Sequence, residues 1–318
     1  MNKSINQITY LKFPLLLISL TLVNVSKGQE RNLAEKLGYE KDTKLLIMHA
    51  DDIGVAYSEN KASIEALEKG GINSASIMVP CPWFKDIATY IKDNPGFDFG
   101  LHLTLNAEWE NYKWDGVLPA SEIPSLLNEE GYFYATSEEV AANARPEEVE
   151  AELRAQVQRA IDFGIQPTHL DSHMFTLFYH PEFYKSYQKI GKEFNIPVFL
   201  PMNFTDGYPE AFKQIDPFFI TVNNAYIAPP EIAADEWNNY YNDIINNLQP
   251  GLNVILVHLA YDDDEMKAVC INKPDWGAAW RQRDLDYVLS EEFQNVLKQN
   301  NIQLVTYKEI QQLMNKSQ

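Results

Sequence analysis

The sequence predicts an α/β protein, a single-domain distorted (β/α) barrel of seven or eight parallel strands. Three observations carry that expectation. From Lys44 onward, short apolar runs of strand length alternate with amphipathic stretches of helical length. The runs are apolar throughout, as strands covered on both faces of a parallel sheet must be. Seven or eight such units in about 270 residues suit a ring better than an open sheet.

The elements follow in order. Lys44–Met48 (KLLIM) reads as a buried strand, and Ser58 opens a helix as its N-cap, closed by Gly70-Gly71. A strand at Ser74–Val79, a helix from Trp83 to Lys92 and a strand at Phe97–Leu105 come next. Pro146–Phe163 has a Pro start, early acids and helical periodicity. Further strands are expected at Thr168–Leu170, Pro197–Leu200, Phe218–Val222, Val254–Val257 and Gln303–Thr306. Helices fill the gaps at Pro181–Phe194, Asp235–Leu248, Ser290–Asn300 and Lys308–Asn315. Two stretches interrupt this rhythm, 106–145 and 261–283, both rich in aromatic and charged residues. Each follows a strand, so each belongs at the C-terminal rim, where barrel active sites form.

The first 28 residues are of a different kind. Lys3 and Lys12 precede an apolar run from Phe13 to Val25, and Ser26-Lys27-Gly28 places small residues at a cleavage position. This is the layout of a secretory signal peptide, cut before Gln29, with residues 29–318 as the mature domain. The run is shorter than the roughly 20 residues of a spanning helix, so no stable membrane insertion is expected after cleavage. The expected location is therefore periplasmic or extracellular. Loss of three lysines and no acid takes the formal charge from −19 to −22. Such a body repels nucleic-acid backbones and anionic membranes, and suits a neutral or cationic substrate. Cys81 and Cys270 are the only cysteines; an exported chain allows them to pair or to remain buried thiols.

The histidines carry the chemistry. Of six, His49, His102, His169 and His258 fall in or at the ends of expected strands, and His173 lies just beyond one. Asp51-Asp52 follows the first strand directly, and adjacent carboxylates at one strand end call for a cation or a shared proton. His169-Leu170-Asp171-Ser172-His173 gathers two imidazoles and a carboxylate, with His169 and Asp171 on one side and His173 in the turn beyond. Asp52, His102 and His173 together offer one oxygen and two nitrogens, a set that suits zinc or another divalent ion with open positions. Metal-bound water would then be the nucleophile, a second carboxylate its general base, and His258 the source of the leaving group's proton.

These segments resemble a known family. LLIMHADDIGVAYSENKASIEALEKGGINSASIMV, GLHLTL and PTHLDSH are similar, in order and spacing, to the signatures of the YdjC-like carbohydrate deacetylases, which include chitooligosaccharide deacetylases of the ChbG type. The resemblance spans about Lys44 to Tyr307. It implies a distorted (β/α) barrel and divalent-metal hydrolysis of N-acetyl groups on amino sugars, with zinc or magnesium as the ion. It also implies Asp52, His102 and His173 as ligands, Asp51 as general base and His258 as acid. His169 and Asp171 would orient a ligand imidazole from behind, and Arg281 or Arg283 would touch substrate. Trp109 and Trp276 are expected to stack on sugar rings, beside Trp114 and Trp280. Met174-Phe175-Thr176-Leu177 and Leu259-Ala260 stand where the family often has further histidines and Pro-Gly, which leaves the sugar open.

Two other readings use the same residues. One is a metal-dependent carbohydrate esterase removing O-acetyl groups; the other is a non-catalytic sugar-binding protein of the same fold. A homodimer is compatible with the sequence without being required by it.

Overall fold

The computed structural model describes residues 31–204 and 219–316; the expected signal segment lies outside them. The described strands are β1 (Lys44–Ile53), β2 (Ser74–Ile77), β3 (Phe99–Leu103), β4 (Leu170–Ser172), β5 (Val198–Pro201), β6 (Phe219–Val222), β7 (Asn224–Ile227), β8 (Gly251–Val257) and β9 (Gln303–Leu304). All pairings between them are parallel, in the order β6-β5-β4-β3-β2-β1-β8-β7. The two ends of that path are neighbours in the chain, because Asn223 alone separates β6 from β7. One extended segment, 219–227, thus gives its first half to β5 and its second to β8, and the sheet curls into a nearly closed barrel. β9 pairs with β1 at Leu45 and Leu46, on the edge that β2 takes over from His49 onward.

Asn223 makes the joint. Its N–H donates to Leu252 O at 2.8 Å, and its side-chain oxygen accepts from Leu252 N–H at 3.0 Å. Gly251 sits beside it at φ 106°, and a Cβ there would overlap the Asn223 carboxamide. Both its dihedral and the close approach require glycine.

Helices flank the ring: α1 (Leu33–Lys36), α2 (Tyr57–Glu68), α3 (Phe84–Asp93), α4 (Ser137–Asn143), α5 (Pro146–Asp162), α6 (Pro181–Phe194), α7 (Trp237–Asn247), α8 (Asp264–Val269), α9 (Ala278–Val288), α10 (Glu291–Gln299) and α11 (Tyr307–Lys316). Strand alternation sorts the core into two clusters. Leu46, Met48, Ala75, Ile77, Leu101, Leu103, Val198, Leu200, Ile255 and Val257 pack outward under the helices. Leu45, Ile47, Phe199, Ile220, Val222, Ala225, Leu252, Val254 and Leu256 fill the interior. The one-residue joint at Asn223 shifts the inward positions from Ile220 and Val222 to Ala225 within the same cluster.

The interior has two unlike sides. Along β1 to β4 the alternate positions carry His49, Asp51, Ser74, Ser76, His102 and Asp171, all buried. Along β5 to β8 they are aliphatic or aromatic up to Leu256. The functional pocket stands at the top, where the two sides meet.

Local differences from the sequence reading have physical causes. α2 starts at Tyr57 with no side-chain N-cap, and Ser58 is not the cap. The Glu265 carboxylate accepts the N–H groups of Tyr57 and Ser58 instead, at 3.1 and 2.9 Å. β4 begins at Leu170 and runs through Ser172, so the strand continues into the His-Asp-Ser-His segment rather than ending before it. α4, α8 and α9 lie in or across the two interrupting stretches, where their short lengths and aromatic content hid their periodicity.

Candidate metal centre

β1 ends in a bulge. Its partners step from Ala50↔Ala75 to Ile53↔Ile77, three residues of β1 against two of β2. Asp52 takes up the extra residue in the left-handed region, at φ 60°, which aspartate tolerates better than most residues. In a regular strand Asp51 and Asp52 would face opposite sides; here both line one pocket.

His102 on β3 and His173, first residue of the turn after β4, meet Asp52 there. Asp52 Oδ1 lies 3.4 Å from His102 Nε2 and 3.1 Å from His173 Nδ1. All three residues are at least 96% buried, and their donor atoms lie within 4.8 Å of one another. Each imidazole is held from behind by a carboxylate: His102 Nδ1 by Asp171 Oδ1 at 2.8 Å, and His173 Nε2 by Glu108 Oε2 at 3.1 Å. This pattern fixes which ring nitrogen faces the centre. The second Asp52 oxygen, Oδ2, lies 3.1 Å from Arg281 Nη2. Arg281 is itself buried and pairs with Glu59 through Nη1.

Asp51 and His258 complete the group. His258 Nε2 lies 3.2 Å from Asp51 Oδ1 and 3.9 Å from Asp52 Oδ2. The backbone N–H of His258 donates to Asp284 Oδ2 at 3.0 Å; Trp237 Nε1 and Tyr241 OH donate to Asp284 Oδ1 at 3.1 and 2.6 Å. That acceptor anchors the end of β8. Asp51 Oδ1 and Asp52 Oδ1 are buried without a well-aligned hydrogen bond, although imidazole nitrogens stand close by. Two orphaned carboxylate oxygens facing imidazole nitrogens are the arrangement a divalent cation satisfies, and the donor set fits one.

The electrostatics agree. Burial alone would raise the Asp52 carboxyl, but hydrogen bonds from His102 and His173 hold it well below the usual carboxylate range. Burial would lower His173, yet Glu108 and Asp52 bring it up to about 9. His102 is raised by Asp171 in the same way. His258 goes the other way: its burial outweighs Asp51 and Asp52, and its pKa is lowered. Burial pushes the Glu59 carboxyl up, against the pull of Arg281.

The pocket above the centre has a volume of about 300 Å³. Trp109 and Trp276 both line it; Trp276 is 37% exposed at the rim and packs 5.0 Å from Trp280. Arg281 lines it as well. Arg283 does not: its guanidinium lies over the Trp237 ring, 5.4 Å from the centroid, away from the pocket. One helical turn does not bring two residues two apart onto the same face. His169 also departs from expectation. Its Nε2 is 3.9 Å from Asp171, its Nδ1 bonds Thr168 Oγ1 at 2.9 Å, and its ring packs on Tyr307 and against the bare Gly100. The partner of Asp171 is His49, whose Nε2 lies 3.0 Å from Oδ2, with Ser76 Oγ donating to the same oxygen at 2.8 Å. Cys81 and Cys270 are free thiols, both buried.

The sequence reading missed Glu108, Glu59, His49 and Asp284 as parts of this centre. Glu108 had a signal, being an acid next to Trp109 just beyond the strand that carries His102. Glu59 reads as an ordinary acid in a helix's first turn.

The chain is similar to several known proteins. A family model described as YdjC-like protein matches residues 45–299. A carbohydrate deacetylase of Thermus thermophilus is 32% identical over 270 residues, covering 80% of this chain and 89% of its own. One from Brevibacillus brevis is 28% identical over 265 residues, covering 83% and 99%. A crystal structure of an Enterococcus faecalis protein shares the fold at TM-score 0.68 and 22% identity, covering 84% of this chain and 99% of its own.

Proposed function

The chain belongs to the YdjC-like family, and from that premise we propose that it is a metal-dependent hydrolase removing acetyl groups from N-acetylated sugars or oligosaccharides. The single observation that carries the reading is Asp52 Oδ1 set 3.4 and 3.1 Å from two imidazole nitrogens, each imidazole backed by its own carboxylate. The relatives' names, carbohydrate deacetylase, support an acetylated sugar as substrate.

Asp52, His102 and His173 would hold the cation. Two nitrogens to one oxygen favour zinc or another first-row divalent ion over magnesium, which prefers oxygen donors. When bound, such an ion polarises an acyl carbonyl and a water molecule beside it. The protein's own groups handle the proton. Asp51 takes it from the attacking water, and His258 Nε2, 3.2 Å from Asp51 Oδ1, relays it to the departing amide nitrogen. A neutral resting His258, as its burial dictates, can accept that proton before delivering it. The C–N bond breaks, a C–O bond forms, and the products are acetate and a free amine. In this reading the exposed Trp276 packs on a sugar face at the rim, while Trp109, buried in the wall, bounds the pocket and leaves the reactive end inward.

We also place the working protein outside the cytoplasm, with residues 1–28 removed on export. Mass spectrometry of the exported protein should find an N-terminus at Gln29; an intact Met1 would contradict this.

The test is metal content by elemental analysis, paired with acetate release from N,N′-diacetylchitobiose and other N-acetylated sugars, before and after chelation. About one metal per chain and acetate release lost with the metal are expected. Acetate release that survives complete metal removal would refute the reading, and acetate from O-acetyl sugars alone would convert it to an esterase.

A further inference from the structure

The acetyl-transfer chemistry accounts for only part of the pocket wall. Apart from Ser172 and Lys273 the rest is apolar, and it extends beyond what one methyl group needs. Phe199 comes from β5, Ile227 from the end of β7, Leu256 from β8, and Met174 and Phe175 from the turn after β4. Phe199 and Leu256 are 3% and 6% exposed, so they form the inner part of this wall, whereas Met174 is 37% exposed at the mouth. Strand alternation points Leu256 to the same side as His258, two residues on. Met174 and Phe175 both adopt left-handed backbone, at φ 50° and 54°. Two such non-glycine residues in succession are costly, and the cost is tolerated at binding sites.

A bound amide must fit these walls in one sense. Its carbonyl belongs beside Asp52, His102 and His173, and its nitrogen beside His258. The sugar lies toward the rim, where Trp276 is exposed. What remains is the carbon chain on the far side of the carbonyl, and the inward space is lined by Phe199 and Leu256.

We propose that the site hydrolyses N-acyl amines whose acyl chain is longer than acetyl, with the chain lying against Phe175, Phe199, Ile227 and Leu256. The balance is that of amide hydrolysis: water adds to the acyl carbon, the C–N bond breaks, and the water's proton reaches the nitrogen through Asp51 and His258. The products are a short-chain carboxylate and a free amine. Burial of each added methylene against an apolar wall is expected to raise kcat/KM about fourfold, equivalent to about 0.8 kcal/mol, until the wall is filled. This rests on the amide-hydrolase reading above.

The experiment uses the mature, metal-replete protein with N-acetyl, N-propanoyl and N-butanoyl derivatives of glucosamine and of chitobiose, measuring carboxylate and free amine together. The propanoyl and butanoyl compounds should be cleaved with kcat/KM about fourfold higher per added methylene than the acetyl ones, and an equal or lower value for both would count against the inference. Phe199→Trp and Leu256→Phe, each checked for its unfolding midpoint, should lower the butanoyl-to-acetyl ratio of kcat/KM by tenfold or more. A soundly folded variant that leaves the ratio unchanged would count against the assigned wall. Acetate release with no longer acid would overturn the inference and leave the deacetylase reading standing. No acid from any compound, with the metal bound, would overturn both.

Discussion

Arg281 Nη2 lies 3.1 Å from Asp52 Oδ2, so a buried guanidinium holds one oxygen of the carboxylate whose other oxygen faces His102 and His173. Glu59 sits on the far side of the same guanidinium. Arg281 therefore separates two buried acids as well as aiming one of them. Arg281→Ala should destabilise the metal-free protein by about 3–5 kcal/mol, the usual cost of removing one member of a buried charged pair. Added zinc should recover part of that loss, because a cation again faces Asp52. Urea denaturation with and without metal checks both parts.

In the proposed reaction Asp51 takes the proton, and a variant separates this role from that of a ligand beside Asp52 and His258. Asp51→Asn keeps size and shape, so metal content should stay near one per chain. Turnover should fall by about 10²–10⁴-fold, the range for loss of a positioned acid–base group. If the variant loses its metal as well, Asp51 is a ligand and the division of roles is wrong.

Asp171 Oδ1 bonds His102 Nδ1, the ring nitrogen turned away from Asp52. Asp171→Ala should weaken metal affinity by about 10–100-fold. The same should hold for Glu108→Ala, acting through His173, and competition with a fluorescent chelator would measure each. His169→Gln should change affinity little, since His169 packs on Tyr307 and does not meet a ligand imidazole.

Metal uptake should depend on pH with a definite sign. His173 in the metal-free protein is raised to about 9 by Glu108 and Asp52, so at pH 7 it carries a proton that the cation must displace. Affinity should thus climb as pH rises toward 9, about tenfold per unit for each proton released, and then level off. Calorimetric titration in two buffers of different ionisation enthalpy would count the protons; none released at pH 7 would contradict the assignment.

Stability should respond to Asp284 in the opposite sense to a surface acid. Burial raises its carboxyl to about 7, despite bonds from Tyr241, His258 and Trp237. The folded state binds that proton more tightly than the unfolded state, so the group's stabilising contribution is complete below its unfolded value. It is lost as pH rises through about 7. Denaturation midpoints between pH 4 and 8 should therefore decline less steeply in Asp284→Asn than in the parent chain.

The strand runs, the rim position of the two interrupting stretches and the meeting of Asp52, His102 and His173 at one strand end were legible in the sequence, because each depends on local pattern. An apolar run broken by a histidine, as in GLHLTL, marks a strand whose inward face is not oily. His49 sat in an equally apolar run, yet its partner Asp171 is 122 residues away and cannot be read from spacing. Arg281 and Glu59, 222 residues apart, show the same limit. The bulge at Asp52 was hidden for another reason: a left-handed aspartate and a helix-capping aspartate look alike until the pairing register is known. Arg281 and Arg283 read alike in the sequence because nothing local distinguishes one side of α9 from the other.

The division of the barrel interior has a consequence for how such a protein can change over generations. The groups that would hold the cation, and those that brace them, come mainly from the chain up to His173, on β1 to β4 and the segments after them. One side of the remaining cavity is set by Phe199, Ile227 and Leu256, on β5, β7 and β8. Drift at those three positions can remodel what fits on that side while the groups on β1 to β4 are inherited intact. Exchanging these three side chains among relatives would let an experimenter trade preferences without rebuilding the chemistry.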